Sequence, residues 1–125
     1  MTLSSLIDDS PRRLDGILFR CIDETLGGMI GLVLKDSIYL RMLTKFLVTR
    51  NELPAHIDQL VATMEEGFGE RSTAIISRAI AKRLFAELRL QIPLESDLQL
   101  QDYVNVALSQ TMKRINISNT MPQTT

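Results

Sequence analysis

The sequence predicts an all-α protein, a compact bundle of four to six helices around one aliphatic core. Two observations predict it. Aliphatic residues recur at three- and four-residue spacing almost from end to end, which is the period of one face of a helix. Aromatic residues make up only 5% of the chain, whereas strands are enriched in them. A chain of 125 residues has the size of one domain, long enough to bury a core without disulfide or metal staples. A hydrophobic share of 45% excludes wholesale disorder.

Residues 1–9 are expected to be a flexible N-terminal segment, with at most a frayed turn around Leu3, Leu6 and Ile7. The helical domain is expected over residues 10–116. Ser10-Pro11 reads as its start: serine accepts hydrogen bonds from free amides, and proline suits the first helical position. Leu14, Ile17, Leu18, Cys21, Ile22 and Leu26 then form one stripe, and Gly27-Gly28 ends or interrupts it.

Met29 to Val48 follows as one long helix or two pieces, with Asp36 or Ser37 as an internal cap. Its part from Met29 to Leu34 is apolar all round, which predicts burial on every face or a dimer seam. A short strand at Ile30–Leu34 is the alternative that periodicity leaves open. Pro54 restarts a helix, with Ile57, Leu60, Val61, Met64 and Phe68 as its stripe and Gly69 as its terminator. Glu70 to Leu90 carries Ile76, Ile80, Leu84 and Leu88 every four residues and stops before Pro93.

Ser96 with Gln99 reads as a capping box for a last helix bearing Leu100, Val104, Ala107, Leu108, Thr111 and Ile115. Residues 117–125 are polar and are expected to be a disordered tail. No internal repeat and no domain-scale linker are evident. The expected core includes Leu18, Ile22, Leu60, Met64, Ile76, Ile80 and Leu84.

Charge and motif content exclude more than they assign. The formal net charge is −1, so no global field draws the chain to nucleic acid or an anionic membrane. The longest strongly apolar run, Met29–Leu34, falls far short of the roughly 20 residues of a spanning helix. The first nine residues lack the basic stretch of a signal peptide. With a single cysteine, a cytoplasmic protein is the natural expectation.

No glycine-rich phosphate loop and no nucleophile–base pair stand out, so no enzyme activity and no cofactor are expected. His56 and Asp58 sit in a first helical turn, and one histidine cannot supply a di-iron bundle, so no metal site is expected either. Cys21 lies within an apolar stripe beside Asp23 and Glu24, which predicts an inert thiol. Asp8-Asp9, Asp23-Glu24 and Glu65-Glu66 diverge by about 100° on a helix and read as solvated faces.

Arg71, Arg78, Lys82 and Arg89 form the candidate partner-binding site. At 100° per residue they share a sector about 40° wide, and Phe85 projects from the same side, the alternative being that it packs on another helix. Such a row with an aromatic anchor suits an acidic protein surface, or phosphates in the alternative that the chain binds nucleic acid. The bland alternative is a solvated basic face. Gly27 and Gly31 are spaced for close approach of another helix, which leaves a homodimer open as well.

Residues 26–90 resemble the Nitrosopumilus output domain family. The matching residues are Leu26-Gly27, Ile38-Tyr39, Glu52-Leu53-Pro54, Phe68-Gly69, and the series Ile76, Ile80, Leu84 and Leu88. Val48-Thr49-Arg50-Asn51 stands where a glycine often precedes the Leu-Pro step, and Ser72-Thr73 replaces a small pair. The resemblance implies a regulatory or output module with no catalytic residues to carry over. The function expected from the whole sequence is a small non-catalytic regulatory or adaptor module that binds another protein through a helix face.

Overall fold

The computed structural model describes residues 2–94 and 98–120, with side chains described for 13–94 and 98–114. Helix α1 spans Thr2–Phe46, a 3₁₀ turn spans Arg50–Ala55, α2 spans Ile57–Leu88 and α3 spans Leu100–Thr120. The fold is all-α, with no strand among the described residues. Helix already runs through residues 2–11, so the chain shows no start at Ser10-Pro11. Helix α3 continues to Thr120, into the stretch expected to be tail, and residues 121–125 lie outside the described residues.

Two glycines shape the molecule. Gly31 (φ 88°, ψ 165°) breaks α1 and Gly69 (φ 86°, ψ 168°) breaks α2. This backbone region is closed to residues with a Cβ, so the chain turns there only because the residue is glycine. Gly69 was expected as a terminator. The first break was expected at Gly27-Gly28 and falls instead at Gly31. No atom lies within 4 Å of a Cβ built on Gly31, so its role is conformational and not close helix packing. A Cβ on Gly27 would meet Leu32 and Lys35 of the same chain at 3.7 Å.

The two broken helices are alike, a repeat the sequence conceals. At the offset that separates Gly31 from Gly69, Ile22 corresponds to Leu60, Thr25 to Thr63, Leu26 to Met64, Ile38 to Ile76, Tyr39 to Ser77 and Met42 to Ile80. Every member of these pairs is buried. Only Thr25/Thr63 and Ile38/Ile76 match in residue type, so the likeness lives in the burial pattern.

The limbs pack crosswise. Residues 13–30 meet 70–88, where Arg20 reaches Glu87 at 2.7 Å and Arg83 reaches Glu24 at 2.9 Å. Residues 32–46 meet 57–68, where Glu66 receives Lys45 at 2.6 Å and Arg41 at 3.2 Å. On that side the buried Thr63 hydroxyl donates to the Gln59 carbonyl at 2.8 Å and faces Met42 Sδ at 3.3 Å. The core cluster joins Leu18, Ile22, Leu26, Met42, Leu53, Leu60, Met64, Ile76, Ile80, Leu84, Leu100, Tyr103 and Ala107.

Helix α3 is an addition without counterpart in the first half. It begins one step after Gln99, whose amide donates to Asp102 Oδ2 at 3.1 Å. That arrangement is half of a capping box, placed later than expected; Ser96 lies outside the described residues. Helix α2 ends at Arg89 (φ 56°), with the amides of Arg89 and Leu90 bonded back to Ala86 and Phe85. Arg114 of α3 donates to the Leu88 and Arg89 carbonyls at 3.1 and 3.2 Å, satisfying acceptors at that helix end. Because Tyr103 sits level with Arg78 and Arg114 with Leu88, α3 runs parallel to residues 70–88.

Inside the first bend, Asp23 accepts from Lys35 at 3.0 Å and from the Tyr39 hydroxyl at 2.8 Å. Burial works to raise the Asp23 pKa, but these two hydrogen bonds outweigh it and hold the carboxyl below its ordinary 3.8. A depressed carboxyl contributes stability that is present above the ordinary value and lost as pH falls through the lowered folded one. Asp23→Asn is therefore expected to flatten the acid limb of a stability–pH curve measured by urea denaturation. An unchanged acid limb would mean that the carboxylate contributes nothing to holding the bend.

Candidate functional site

Packing breaks up the predicted basic row. Phe85 is only 1% exposed and meets Tyr103 edge to face, with ring centroids 6.4 Å apart. Arg78 is half-buried; its guanidinium donates to the Tyr103 hydroxyl and lies 5.4 Å from that ring's centroid. Arg71, Lys82 and Arg89 remain exposed. The cause is that residues 70–88 lie between α1 and α3. They are covered on two sides, and buried positions include Ile76, Ser77, Ile80, Ala81, Leu84 and Phe85. Periodicity on α2 marks one buried stripe; of the two placements open to Phe85, exposed anchor or packing on another helix, the structure shows the second. No exposed aromatic anchor remains in the row.

Met29–Leu34 is not an enclosed segment: Leu32 is 66% and Val33 79% exposed. The apolar surface continues down the same limb, with Leu40 at 60%, Leu43 at 44% and Leu47 at 80%. Val33, Leu40 and Leu43 follow one another at seven- and three-residue spacing on one face of the limb, and Leu47 follows the helix end in a left-handed conformation (φ 58°). Isolated exposed leucines are ordinary, but a contiguous row marks an interaction surface.

Grooves flank this ridge. One, of about 510 Å³, runs between Leu34, Ile38, Leu40 and Thr44 on one limb and Thr63, Gly67 and Phe68 on the other. A second, of about 270 Å³, is lined by Asp36, Tyr39, Leu40, Leu43, Val48 and Arg50. The nearby charges are engaged with one another. Asp36 holds Arg50 at 3.2 Å, Arg50 stacks 4.9 Å from the Tyr39 ring centroid, and Glu66 holds Lys45 and Arg41. The surface offered between these pairs is hydrocarbon.

The paired acidic residues divide among partners on other limbs: Asp23 with Lys35, Glu24 with Arg83, Glu66 with Lys45 and Arg41. Among the described residues, no three His, Cys, Asp or Glu side chains gather as a metal-binding group. No helix among them is long and apolar enough to cross a membrane. A polar cleft of about 250 Å³ lies between α2 and the start of α3, lined by Thr73, Ser77, Arg78, Leu98 and Tyr103. The Thr73 hydroxyl there is buried without a hydrogen-bond partner among the described residues.

Cys21 is buried at 1% exposure, and burial pushes its thiol up to about 11, helped by the Glu87 charge. The thiolate is the reactive form, so the native protein should resist iodoacetamide at neutral pH and label only on unfolding. Rapid stoichiometric labelling of the folded protein, read by mass spectrometry, would contradict that placement.

Comparison with known protein families, characterised proteins and solved structures finds no match to this chain. The residue assignments therefore rest on geometry and chemistry alone.

Proposed function

We propose that the protein is a cytoplasmic, non-catalytic regulatory or adaptor module, one domain with a single aliphatic core, that acts by binding another protein molecule. The binding face is the apolar ridge Val33–Leu40–Leu43–Leu47, in place of the basic row on α2. The observation that carries this reading is the exposure of the ridge. Leaving four large aliphatic side chains in water costs free energy that a partner surface recovers, roughly 1.5–3 kcal/mol for each side chain fully covered. Structural need alone does not put them there, since none of the four lies in the core cluster.

The test is capture on the immobilised chain from native lysate, with and without nuclease. Wild type is compared with Leu40→Glu/Leu43→Glu and with Arg71→Glu/Lys82→Glu. The reading expects a protein captured regardless of nuclease, lost with the leucine variant and retained with the basic-residue variant. Capture that disappears with nuclease, falls steeply with salt and depends on Arg71 and Lys82 would instead establish nucleic-acid binding.

A further inference from the structure

We propose that the cleft beside the Gly69 bend binds a primary ammonium group on a short aliphatic stem, held by Glu65, Glu70 and Thr73. The site is separate from the apolar ridge and does not depend on it.

Thr73 holds an unmet polar group. Thr63 and Thr111 donate their hydroxyls to the carbonyls four residues back, Gln59 and Ala107, both at 2.8 Å. For Thr73 the residue four back is Gly69, where the helix breaks, and the same bond is not made. Its hydroxyl is left without a partner among the described residues although the side chain is only 2% exposed. Thr73 lines the cleft of about 250 Å³ together with Val61, Glu65, Glu70 and Ser77. A buried hydroxyl costs free energy unless it is hydrogen-bonded, and a donor entering the cleft supplies the bond.

The other bend shows what fits. Gly31 and Gly69 have nearly the same torsions, so positions around the two bends correspond. At that offset Lys35 corresponds to Thr73, Tyr39 to Ser77, Asp23 to Val61 and Gly27 to Glu65. At the first bend the Lys35 side chain is 12% exposed, and its ammonium donates to Asp23 at 3.0 Å. At the second bend lysine and tyrosine are cut back to threonine and serine, and the cleft lies among those positions. A lysine side chain fills at one bend what is cleft at the other.

Charge is supplied from new positions. A Cβ on Gly27 would lie 3.7 Å from both Lys35 Nζ and Leu32 Cδ2. The counterparts of Gly27 and Leu32 are Glu65 and Glu70, so both carboxylates stand beside the place an ammonium would take. Neither is in an ion pair among the described residues. Arg78 also lines the cleft, but its guanidinium is turned to the Tyr103 hydroxyl and the Pro93 carbonyl. Two carboxylates against one guanidinium favour a cation over an anion. Among the described residues no metal-binding group forms, and Val61 and Leu98 give the cleft apolar walls, so the cation is organic.

A free amine and a lysine side chain of another polypeptide share this chemistry. Heteronuclear NMR titration of the chain tests it with n-butylamine, which is the lysine side chain alone, with N-acetyl-lysine methylamide, and with inorganic phosphate. Saturable shifts are expected at the Thr73 and Ser77 amides from an amine and none from phosphate. Thr73→Val should weaken amine binding about tenfold or more while keeping stability to urea at or above wild type. Glu65→Gln and Glu70→Gln should each weaken it, and added salt should do so in wild type. Asp58→Asn, on the first turn of α2 and outside the cleft, should not.

Binding of the blocked lysine at least as tight as that of butylamine assigns the site to a polypeptide, and binding of butylamine alone assigns it to a free amine. No saturable shift from either amine overturns the proposal, as does amine binding indifferent to Thr73→Val and to both glutamate changes. Saturation of the same amides by phosphate overturns it in favour of an anion site. A Thr73→Val protein less stable than wild type would show that the hydroxyl has a structural partner, and the site would fall.

Discussion

Replacing Gly31 and Gly69 together with alanine is expected to remove much of the protein's stability. Each glycine holds a positive φ near 87° with extended ψ, a region costing about 1–3 kcal/mol for other residues. A domain of ordinary stability holds only about 5–15 kcal/mol in all. Built Cβ atoms meet nothing within 4 Å at either position, so the loss is torsional and not steric crowding by neighbours.

Relief of the strain would require the limbs to straighten into continuous helices. The Asp23 contacts with Lys35 and Tyr39 across the bend would then be lost. Urea denaturation measures the loss, and a d-alanine at Gly69, installed by semisynthesis, separates the causes. The d-residue favours positive φ and should retain stability near wild type. Equal damage from l- and d-alanine would show that the space around the glycine, and not its torsion, is what matters.

The second large effect lies in the core of α2. Ile80 and Leu84 are at most 1% exposed, and truncation of either to alanine should cost about 2–5 kcal/mol through lost burial and a residual cavity. Ile75 lies on the same limb but is 58% exposed, so Ile75→Ala should move the denaturation midpoint little. A large effect at Ile75 with little at Ile80 would mean that the helix is rotated from the phase described.

These positions show what the sequence carried. The four-residue periodicity of Ile76, Ile80 and Leu84, with Leu18, Ile22, Leu60 and Met64, identified residues that are all buried. Periodicity reports which face of a helix is apolar, and here the apolar face is the core face. Gly69 was legible because it follows an apolar stripe that ends at Phe68. Gly31 was hidden by Gly27-Gly28, a stronger turn signal that the structure leaves within the helix.

The site was less legible, for a definite reason. A hydrophobic residue reads alike whether it faces the core or a partner, so the sequence leaves Met29–Leu34 open between the interior, a dimer seam and a short strand. Phe85 is ambiguous in the sequence for the same reason, because its burial depends on α3, which lies beyond any local window on α2. The repeat escaped notice because its halves share a pattern of burial and a backbone conformation at glycine, with few identical residues.

The apolar ridge as the binding face is the central claim, and site-specific photo-crosslinking in native lysate tests it most directly. A photoreactive residue is placed at Leu43 in one sample and at Lys82 in another. The account predicts protein adducts from Leu43, stable to nuclease, and none of comparable yield from Lys82. Adducts that form from Lys82 alone, or that nuclease removes, would contradict it.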